Sequence, residues 1–211
     1  MVKFCLFVLM TLSLLGCGGV TDNAAGKKDQ LISKSAKKED LFRNTENLQC
    51  KFSNPDTSVF GIAIRDAKSA AHTIGGSVAD SSGEYHFYSK LEGETLTLVQ
   101  HPGDFKNQIS IFRVEYSSKA SYNYKQLAVD AFKTESGIKL GMAKNQIIEK
   151  LGGCYSRIDS TSKYIELYYR IEQPKDSRTK LLKRNSMPAY YASYKLHDNK
   201  LERMEFGFEY P

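Results

Sequence analysis

An internal repeat constrains the fold of this chain more than any other feature of its sequence. Each copy begins with a glycine and alternating aliphatic residues, continues through a helical stretch to a double glycine, and later reaches an apolar segment that starts with Asn. These markers are Gly61-Ile62-Ala63-Ile64, Gly75-Gly76 and Asn107-Gln108-Ile109 in the first copy, and Gly137-Ile138-Lys139-Leu140, Gly152-Gly153 and Asn199-Lys200-Leu201 in the second. Markers that occur twice in the same order are typical of a duplicated structural unit.

Each copy predicts a short helix followed by antiparallel strands. The helices have apolar residues at helical spacing, which are Ala67, Ala70, Ala71 and Ile74 in the first and Ile147, Ile148 and Leu151 in the second. Asp66 suits an N-cap, Gly75 or Gly76 suits the end of the first helix, and Gly152 suits the end of the second. Strands are predicted over 84–89, 94–100, 109–116, 164–171, 190–196 and, after a turn at 197–199, 200–210. We therefore expect an α+β fold of two tandem repeats, 48–120 and 121–211, each a short helix followed by an antiparallel β-meander, with the helices packed on one face of the sheet.

The first residues of the chain have the pattern of an export signal. Lys3 is followed by an apolar run from Phe4 to Leu15. This run is shorter than the roughly 20 residues needed to span a bilayer, but it matches the apolar region of a secretory signal. The segment ends Leu14-Leu15-Gly16-Cys17, which resembles the lipobox of bacterial lipoprotein precursors.

The lipoprotein resemblance implies that residues 1–16 are removed and that Cys17 becomes a lipidated, acylated N-terminus. Gly18 follows that cysteine where an Asp would favour retention in the inner membrane, so the resemblance points to the outer membrane, facing the periplasm. Two other interpretations remain open from the residues alone. The segment could be a plain signal peptide cleaved elsewhere, or a core helix that happens to contain a cysteine.

The remaining cysteines and the next polar segment complete the organisation. Residues 17–47 contain few apolar side chains, which is typical of a flexible tether. With Cys5 removed and Cys17 acylated, Cys50 and Cys154 are left, and outside the cytoplasm we expect them to form a disulfide. The alternative is two free buried thiols.

The second copy also carries a family resemblance. The residues Gly137-Ile138-Lys139-Leu140-Gly141-Met142, Ile147-Ile148 and Leu151-Gly152 resemble the start of the SmpA/OmlA (BamE-like) and beta-lactamase-inhibitor-protein-like modules. The first copy matches less well, because Arg65-Asp66 stands in place of Gly141-Met142. The resemblance implies a three-stranded antiparallel sheet after each helix. It also implies modules that bind other proteins, in envelope assembly or as inhibitors, and that carry no catalytic residues.

No catalytic, metal or cofactor motif is recognised in the chain. The four histidines (His72, His86, His101 and His197) lack the spacing of a metal motif, and no nucleophile elbow or phosphate-binding loop occurs. A mean hydropathy of −0.45 excludes a polytopic membrane protein. A net charge of +6 does not by itself make a nucleic-acid binder. We therefore expect no enzymatic activity, no cofactor and no nucleic-acid partner.

Two groups of side chains are candidates for protein binding. Every second residue from Ile165 to Ile171 is apolar or aromatic and is predicted to face the core. Tyr164 and Tyr168 would then face outward beside Arg170, where exposed tyrosines favour protein binding. The segment 173–189 is predicted to be an extended basic hairpin loop, and its candidate residues are Lys175, Arg178, Lys180, Lys183 and Arg184. The alternatives are tyrosines that simply favour strands and a loop that is merely solvated.

The sequence therefore predicts a membrane-anchored, non-enzymatic lipoprotein that binds an envelope or secreted protein in the periplasm. Its use would be envelope assembly, or the inhibition or neutralisation of a hydrolase or toxin. The alternative function is a periplasmic carrier of a small ligand or lipid, and a third is a hydrolase without a recognised motif.

Overall fold

The computed structural model describes residues 50–52, 54–90, 93–117, 124–158, 160–161, 163–173 and 180–210. The predicted signal segment, Cys17 and the predicted tether therefore lie outside the described residues, as do the candidate residues Lys175 and Arg178. Among the described residues, no helix combines the length and the apolar character that a bilayer crossing requires.

The described residues form a mixed α+β fold that consists mostly of strands. The strands are β1 (Ser58–Val59), β2 (Ile62–Ala63), β3 (Glu84–Tyr88), β4 (Glu94–Val99), β5 (Ile111–Tyr116), β6 (Lys125–Gln126), β7 (Ser156–Ile158), β8 (Tyr164–Glu172), β9 (Ala189–His197) and β10 (Lys200–Phe208). The helices are α1 (Ala67–Ile74), α2 (Lys144–Leu151) and α3 (Leu181–Asn185).

Eight of the strands form one sheet in the order β6-β3-β4-β5-β10-β9-β8-β7, and β1 and β2 pair separately. The two meanders β3-β4-β5 and β8-β9-β10 meet at the antiparallel pair of β5 and β10, where Phe112 lies opposite Phe206 and Val114 opposite Met204. The pairing of β3 with β6 is parallel. Both meanders therefore belong to one continuous sheet.

The core lies on one face of this sheet, because side chains alternate between the two faces of a strand. Core-facing strand residues such as Phe87, Leu96 and Phe206 belong to the same buried cluster as Ile74 of α1 and Leu151 of α2. The helices thus cover this face, as the sequence predicts. The opposite face, which we call the open face, carries the polar and aromatic residues of the same strands.

Capping groups set the ends of both longer helices. The side chain of Asp66 accepts hydrogen bonds from the backbone N–H groups of Lys68 and Ser69, and α1 ends at Gly75. At the start of α2 the side chain of Gln146 accepts a hydrogen bond from the backbone N–H of Ala143, and the helix ends at Gly152. The predicted N-cap of α1 and the predicted glycine ends of both helices therefore agree with the structure.

The segment 173–189, predicted to be an extended hairpin loop, connects the antiparallel strands β8 and β9, but it contains a helix that was not predicted. Residues 181–185 form helix α3, and Leu182 is buried in the core. A five-residue helix with a single anchoring side chain has too few turns to display helical periodicity in the sequence.

A disulfide joins Cys50 to Cys154, with the two Cα atoms 5.0 Å apart. It connects the segment before β1 to the segment that follows α2. Next to it, the backbone N–H of Lys51 donates a hydrogen bond to the carbonyl oxygen of Leu151. The start of the described fold is therefore held against the end of α2.

Candidate functional site

The open face is the first candidate site, because its polar and aromatic side chains stand in register across six strands. One row of directly opposed residues consists of His86, Thr97, Arg113, Glu205, Ser193 and Tyr168. Residues that are directly opposite on the same face are within contact distance. The row therefore forms a continuous polar strip from β3 to β8.

Ion pairs centred on Glu205 order the middle of this strip. Arg113 Nε lies 2.6 Å from Glu205 Oε2, Arg203 Nη2 lies 2.8 Å from the same oxygen, and Tyr191 donates its hydroxyl to Oε1 at 2.8 Å. Burial opposes ionisation of Glu205, but these three donors outweigh it and hold the pKa of its carboxyl below the usual value. The centre of the open face is consequently a rigid, ionised network.

Arg170 and Tyr168 form a second ordered group near the edge of the open face. The guanidinium of Arg170 makes two hydrogen bonds of 2.7 Å to the carboxylate of Glu209 and lies 2.7 Å from Glu172 Oε1. Tyr168 donates its hydroxyl to Glu209 at 3.3 Å and stacks on Tyr191, with the ring centroids 6.1 Å apart. Arg170 is thus already paired within the chain, and its role at a surface would be to hold neighbouring groups in place.

Tyr164 is the most accessible aromatic residue of the open face strands, with 55% of its surface exposed. Its ring stacks on His197 with a centroid distance of 4.5 Å and an interplanar angle of 10°. The pairing of β8 with β9 places these two residues directly opposite each other. The exposed ring is therefore oriented by a contact within the chain.

The basic candidates of α3 do not share a surface with these tyrosines. Lys180 and Arg184 border an open depression of about 360 Å³ together with Asn54, Pro55 and Thr57. Tyr190, a core-facing residue of β9, donates a hydrogen bond to the backbone carbonyl of Asp56, so the depression lies on the helix side of the sheet. Lys183 is exposed on the same short helix. The predicted binding residues that the structure describes are therefore divided between the two faces of the sheet.

A cluster at the start of β3 has donor atoms that could hold a metal ion. His86 Nε2 lies 3.1 Å from Asp80 Oδ2 and 3.8 Å from Glu84 Oε2, and all three donor atoms are within 4.8 Å of one another. The hydrogen bonds from the backbone N–H of Glu84 and from His86 lower the pKa of Asp80, so its carboxyl is ionised at neutral pH. The cluster borders a cavity of about 470 Å³ that Tyr124 and Lys125 also line.

Tyr191 and the cluster of Asp80, Glu84 and His86 are not among the site residues predicted from the sequence. The alternation of β9 contained the signal for Tyr191, because Tyr190 and Ala192 on either side of it are buried in the core and Tyr191 therefore faces the other way. Asp80 lies outside any strand, and only the turn between it and Glu84 brings its carboxylate to His86.

Compared with models of protein families, with curated proteins and with solved structures, the chain has no match.

Proposed function

We propose that this protein is a non-enzymatic outer-membrane lipoprotein, lipidated at Cys17, whose open face binds an envelope or secreted protein in the periplasm. The bound protein would be a component of envelope assembly, or a hydrolase or toxin that the interaction inhibits or neutralises. Residues 17–47 would act as the tether between the lipid and the folded part.

The proposed compartment is supported by the N-terminal sequence and by the disulfide. The apolar run and Cys17 have the order of a lipoprotein signal. The disulfide between Cys50 and Cys154 is consistent with an oxidising compartment, where such bonds persist.

The proposal includes an origin of the fold from two tandem repeats, 48–120 and 121–211. Two observations support it. Arg65 and Gly141 both have positive φ, of 59° and 78°, and each donates its backbone N–H to a matched marker residue at 2.8 Å, Ile109 and Leu201 respectively. The two meanders are also arranged alike about the central pair. In each, the last strand (β5 or β10) lies at the centre of the sheet and the first strand (β3 or β8) lies farthest from it. One strand crosses between the repeats: β6, at the start of the second repeat, pairs with β3 of the first.

The observation that carries the binding proposal is the exposed Tyr164 ring, held by stacking on His197. Tyr168 and Tyr191 lie on the same face beside an ordered network of charges. Tyrosine is enriched among residues that dominate protein–protein binding energy, and a side chain that is fixed before binding loses little entropy in the complex. The open face thus has rigid aromatic contact groups with polar groups around them.

Crosslinking in intact cells, followed by purification of the captured protein, tests this function. We expect the wild-type chain to capture a defined protein and the double variant Tyr164→Ala, Tyr168→Ala to bind it at least about tenfold more weakly. The matched control is Lys183→Ala, Arg184→Ala on the helix side, which should bind as the wild type does.

Two results would contradict the binding proposal. One is the absence of any captured protein, and the other is a captured protein whose affinity is unchanged in the double tyrosine variant. An apolar molecule that co-purifies with the chain in native mass spectra would instead support the carrier function.

The lipid anchor has a separate test. The Cys17→Ala variant should leave the membrane fraction, because the acyl chains would be lost, whereas Cys5→Ala should remain with the membranes. A Cys17→Ala protein that still fractionates with membranes would contradict lipidation at this residue.

A further inference from the structure

We propose that Asp80, Glu84 and His86 form a binding site for one divalent transition-metal ion, with Zn²⁺ as the representative ion. This inference is independent of the protein-binding function. It rests on the convergence of three donor atoms on one point and on the contacts that orient them.

The separations of the donor atoms suit a shared ion. Zinc binds imidazole nitrogen and carboxylate oxygen at about 2.0–2.2 Å, so neighbouring ligands around it stand roughly 3–3.5 Å apart. Asp80 Oδ2 and Glu84 Oε2 are 3.1 and 3.8 Å from His86 Nε2. All three donor atoms lie within 4.8 Å of one another, so an adjustment of the Glu84 side chain would complete the set.

Each carboxylate uses one oxygen within the protein and leaves the other for the ion. Asp80 Oδ1 accepts hydrogen bonds from the backbone N–H groups of Ser82 at 2.8 Å and Glu84 at 3.0 Å. Glu84 Oε1 faces Arg113 at 3.4 Å. The oxygens that remain, Asp80 Oδ2 and Glu84 Oε2, are the two that point to His86.

The imidazole of His86 is oriented in the way that metal-ligating histidines are. Its Nδ1 lies 3.1 Å from the hydroxyl oxygen of Thr97, and its ring stacks on Tyr124 with a centroid distance of 4.5 Å. A hydrogen bond at the second ring nitrogen fixes the tautomer and presents the free lone pair to the ion. Without an ion, His86 Nε2–H donates to Asp80. A bound ion would displace that proton, so that Nδ1–H donates to Thr97 and the lone pair of Nε2 coordinates the ion.

His197 shows why proximity to carboxylates alone would not be sufficient. Glu202 lies 3.1 Å from Nδ1 of His197, whereas Asp198 lies 3.6 Å from Nε2. The two carboxylates therefore approach opposite sides of the ring and cannot share an ion with one nitrogen. This residue provides an internal control with a similar composition.

The donor set also defines the class of ion. One imidazole nitrogen with two carboxylate oxygens suits zinc and related transition metals, while Mg²⁺ and Ca²⁺ prefer oxygen ligands alone. Three protein ligands leave at least one position open. That position would face the cavity beside Tyr124, where water or a carboxylate of another molecule could occupy it.

Calorimetry on the full-length chain, purified in detergent and stripped with EDTA, tests the site. We expect one Zn²⁺ per chain, with Ca²⁺ binding at least about tenfold more weakly. Glu84→Gln and His86→Gln should each lower the Zn²⁺ affinity by about tenfold or more, since weakening even an outer contact of a metal site has that effect. His197→Gln should leave the affinity unchanged.

A second measurement locates the ion without any substitution. Co²⁺ added to the wild-type chain should broaden the NMR signals of residues 80–86 and Thr97 and leave those around His197 sharp. The proposal is overturned if the wild-type chain binds no Zn²⁺ at millimolar concentration, if both variants bind as the wild type does, or if Co²⁺ broadens a different region.

Discussion

Gly207 lies opposite Ile111 at the junction of the two meanders, where the backbones leave no space for a side chain. A Cβ at this position would lie 2.2 Å from the carbonyl oxygen of Ser110 and 2.7 Å from the Cα of Ile111. Because these are backbone atoms, relief requires a shift of the strand itself. Only glycine therefore fits at this point of β10.

We predict that Gly207→Ala lowers the free energy of unfolding by about 1–3 kcal/mol, the usual cost of forcing atoms into a packed site. Urea denaturation measures the change. Gly76→Ala is the matched control, because a Cβ there has no neighbour within 4 Å, and its effect should stay within about 0.5 kcal/mol. Equal losses in the two variants would contradict the argument.

Glu205 makes the stability of the sheet depend on pH. Its folded-state pKa lies below the ordinary value of 4.5, so it stabilises the fold above that pH and the contribution is lost as the pH falls through the lowered pKa. We predict that between pH 5 and pH 3 the wild type loses more stability than Glu205→Gln, which has no proton to gain. Urea midpoints across this range test it, with Glu149→Gln on the exposed side of α2 as the control.

A pH profile of the Glu205→Gln variant that is as steep as that of the wild type would contradict this prediction. In that case other acidic groups, and not the network of Arg113, Arg203 and Tyr191, would dominate the acid response.

At the scale of single residues, the alternation of β8 was sufficient to predict the outward orientation of Tyr164 and Tyr168. The pairing of Arg170 with Glu209 was not predictable, because 39 residues separate them in the chain. The donors that converge on His86 were not predictable either, because a turn and a strand contribute them jointly. Spacing in the sequence reports neighbours on one element and does not report contacts between elements.

At the scale of elements, the disulfide closes a covalent loop with a sequence separation of 104 residues. In the chain-entropy model, closing a loop of this length lowers the conformational entropy of the unfolded state. The free energy of unfolding is thereby raised by about 4–5 kcal/mol. We predict a loss of this size in the variant Cys50→Ser, Cys154→Ser, measured by urea denaturation. A reducing agent should lower the stability of the wild type to the same level and leave the variant unchanged.

A loss below about 1 kcal/mol would mean that the loop restricts the unfolded chain little, which would contradict the entropic account. The addition of reductant to the double variant separates this outcome from any general effect of the reagent.

At the scale of elements, the longer helices and strands were predictable because they contain their own signals. Asp66 and Gly75 mark both ends of α1, and strands of five to nine residues have room for alternation. The strands β1, β2, β6 and β7 have two or three residues each and were not predicted. So short a strand has no period, and its pairing depends on a neighbour that the tertiary structure supplies.

For the whole molecule, the pairing of β5 with β10 makes one sheet and one buried cluster out of two meanders. We predict that the two halves unfold together, because neither retains a complete core without the other. The chain has no Trp, so Tyr85→Trp in the first half and Tyr155→Trp in the second provide separate fluorescence probes. Each variant should show a urea midpoint that coincides with its own circular dichroism transition.

Two separate transitions, or a fluorescence midpoint that differs from that of circular dichroism in either variant, would contradict cooperative unfolding. Such a result would assign independent stability to each meander.

The order of strands in the whole sheet could not be predicted from the sequence. The repeat predicts two similar units but does not determine whether their sheets join, stack or stay apart. The junction depends on contacts such as Phe112 with Phe206, whose ring centroids lie 5.3 Å apart although the residues are far apart in the chain. Whether such strands pair depends on how well the two sheet edges, β5 and β10, complement each other.

The link between Cys50 and Cys154 also determines how the molecule would respond to mechanical force. A pull on the N-terminal segment reaches the fold at Cys50, and the covalent bond passes the load directly to the backbone after α2. Residues 51–153, which include β1 to β6, lie within the loop that this bond closes. Tension applied through the N-terminal segment therefore bypasses these strands and acts on β7 to β10, which follow Cys154 in the chain. The first meander is thereby shielded from stretching by a covalent shortcut.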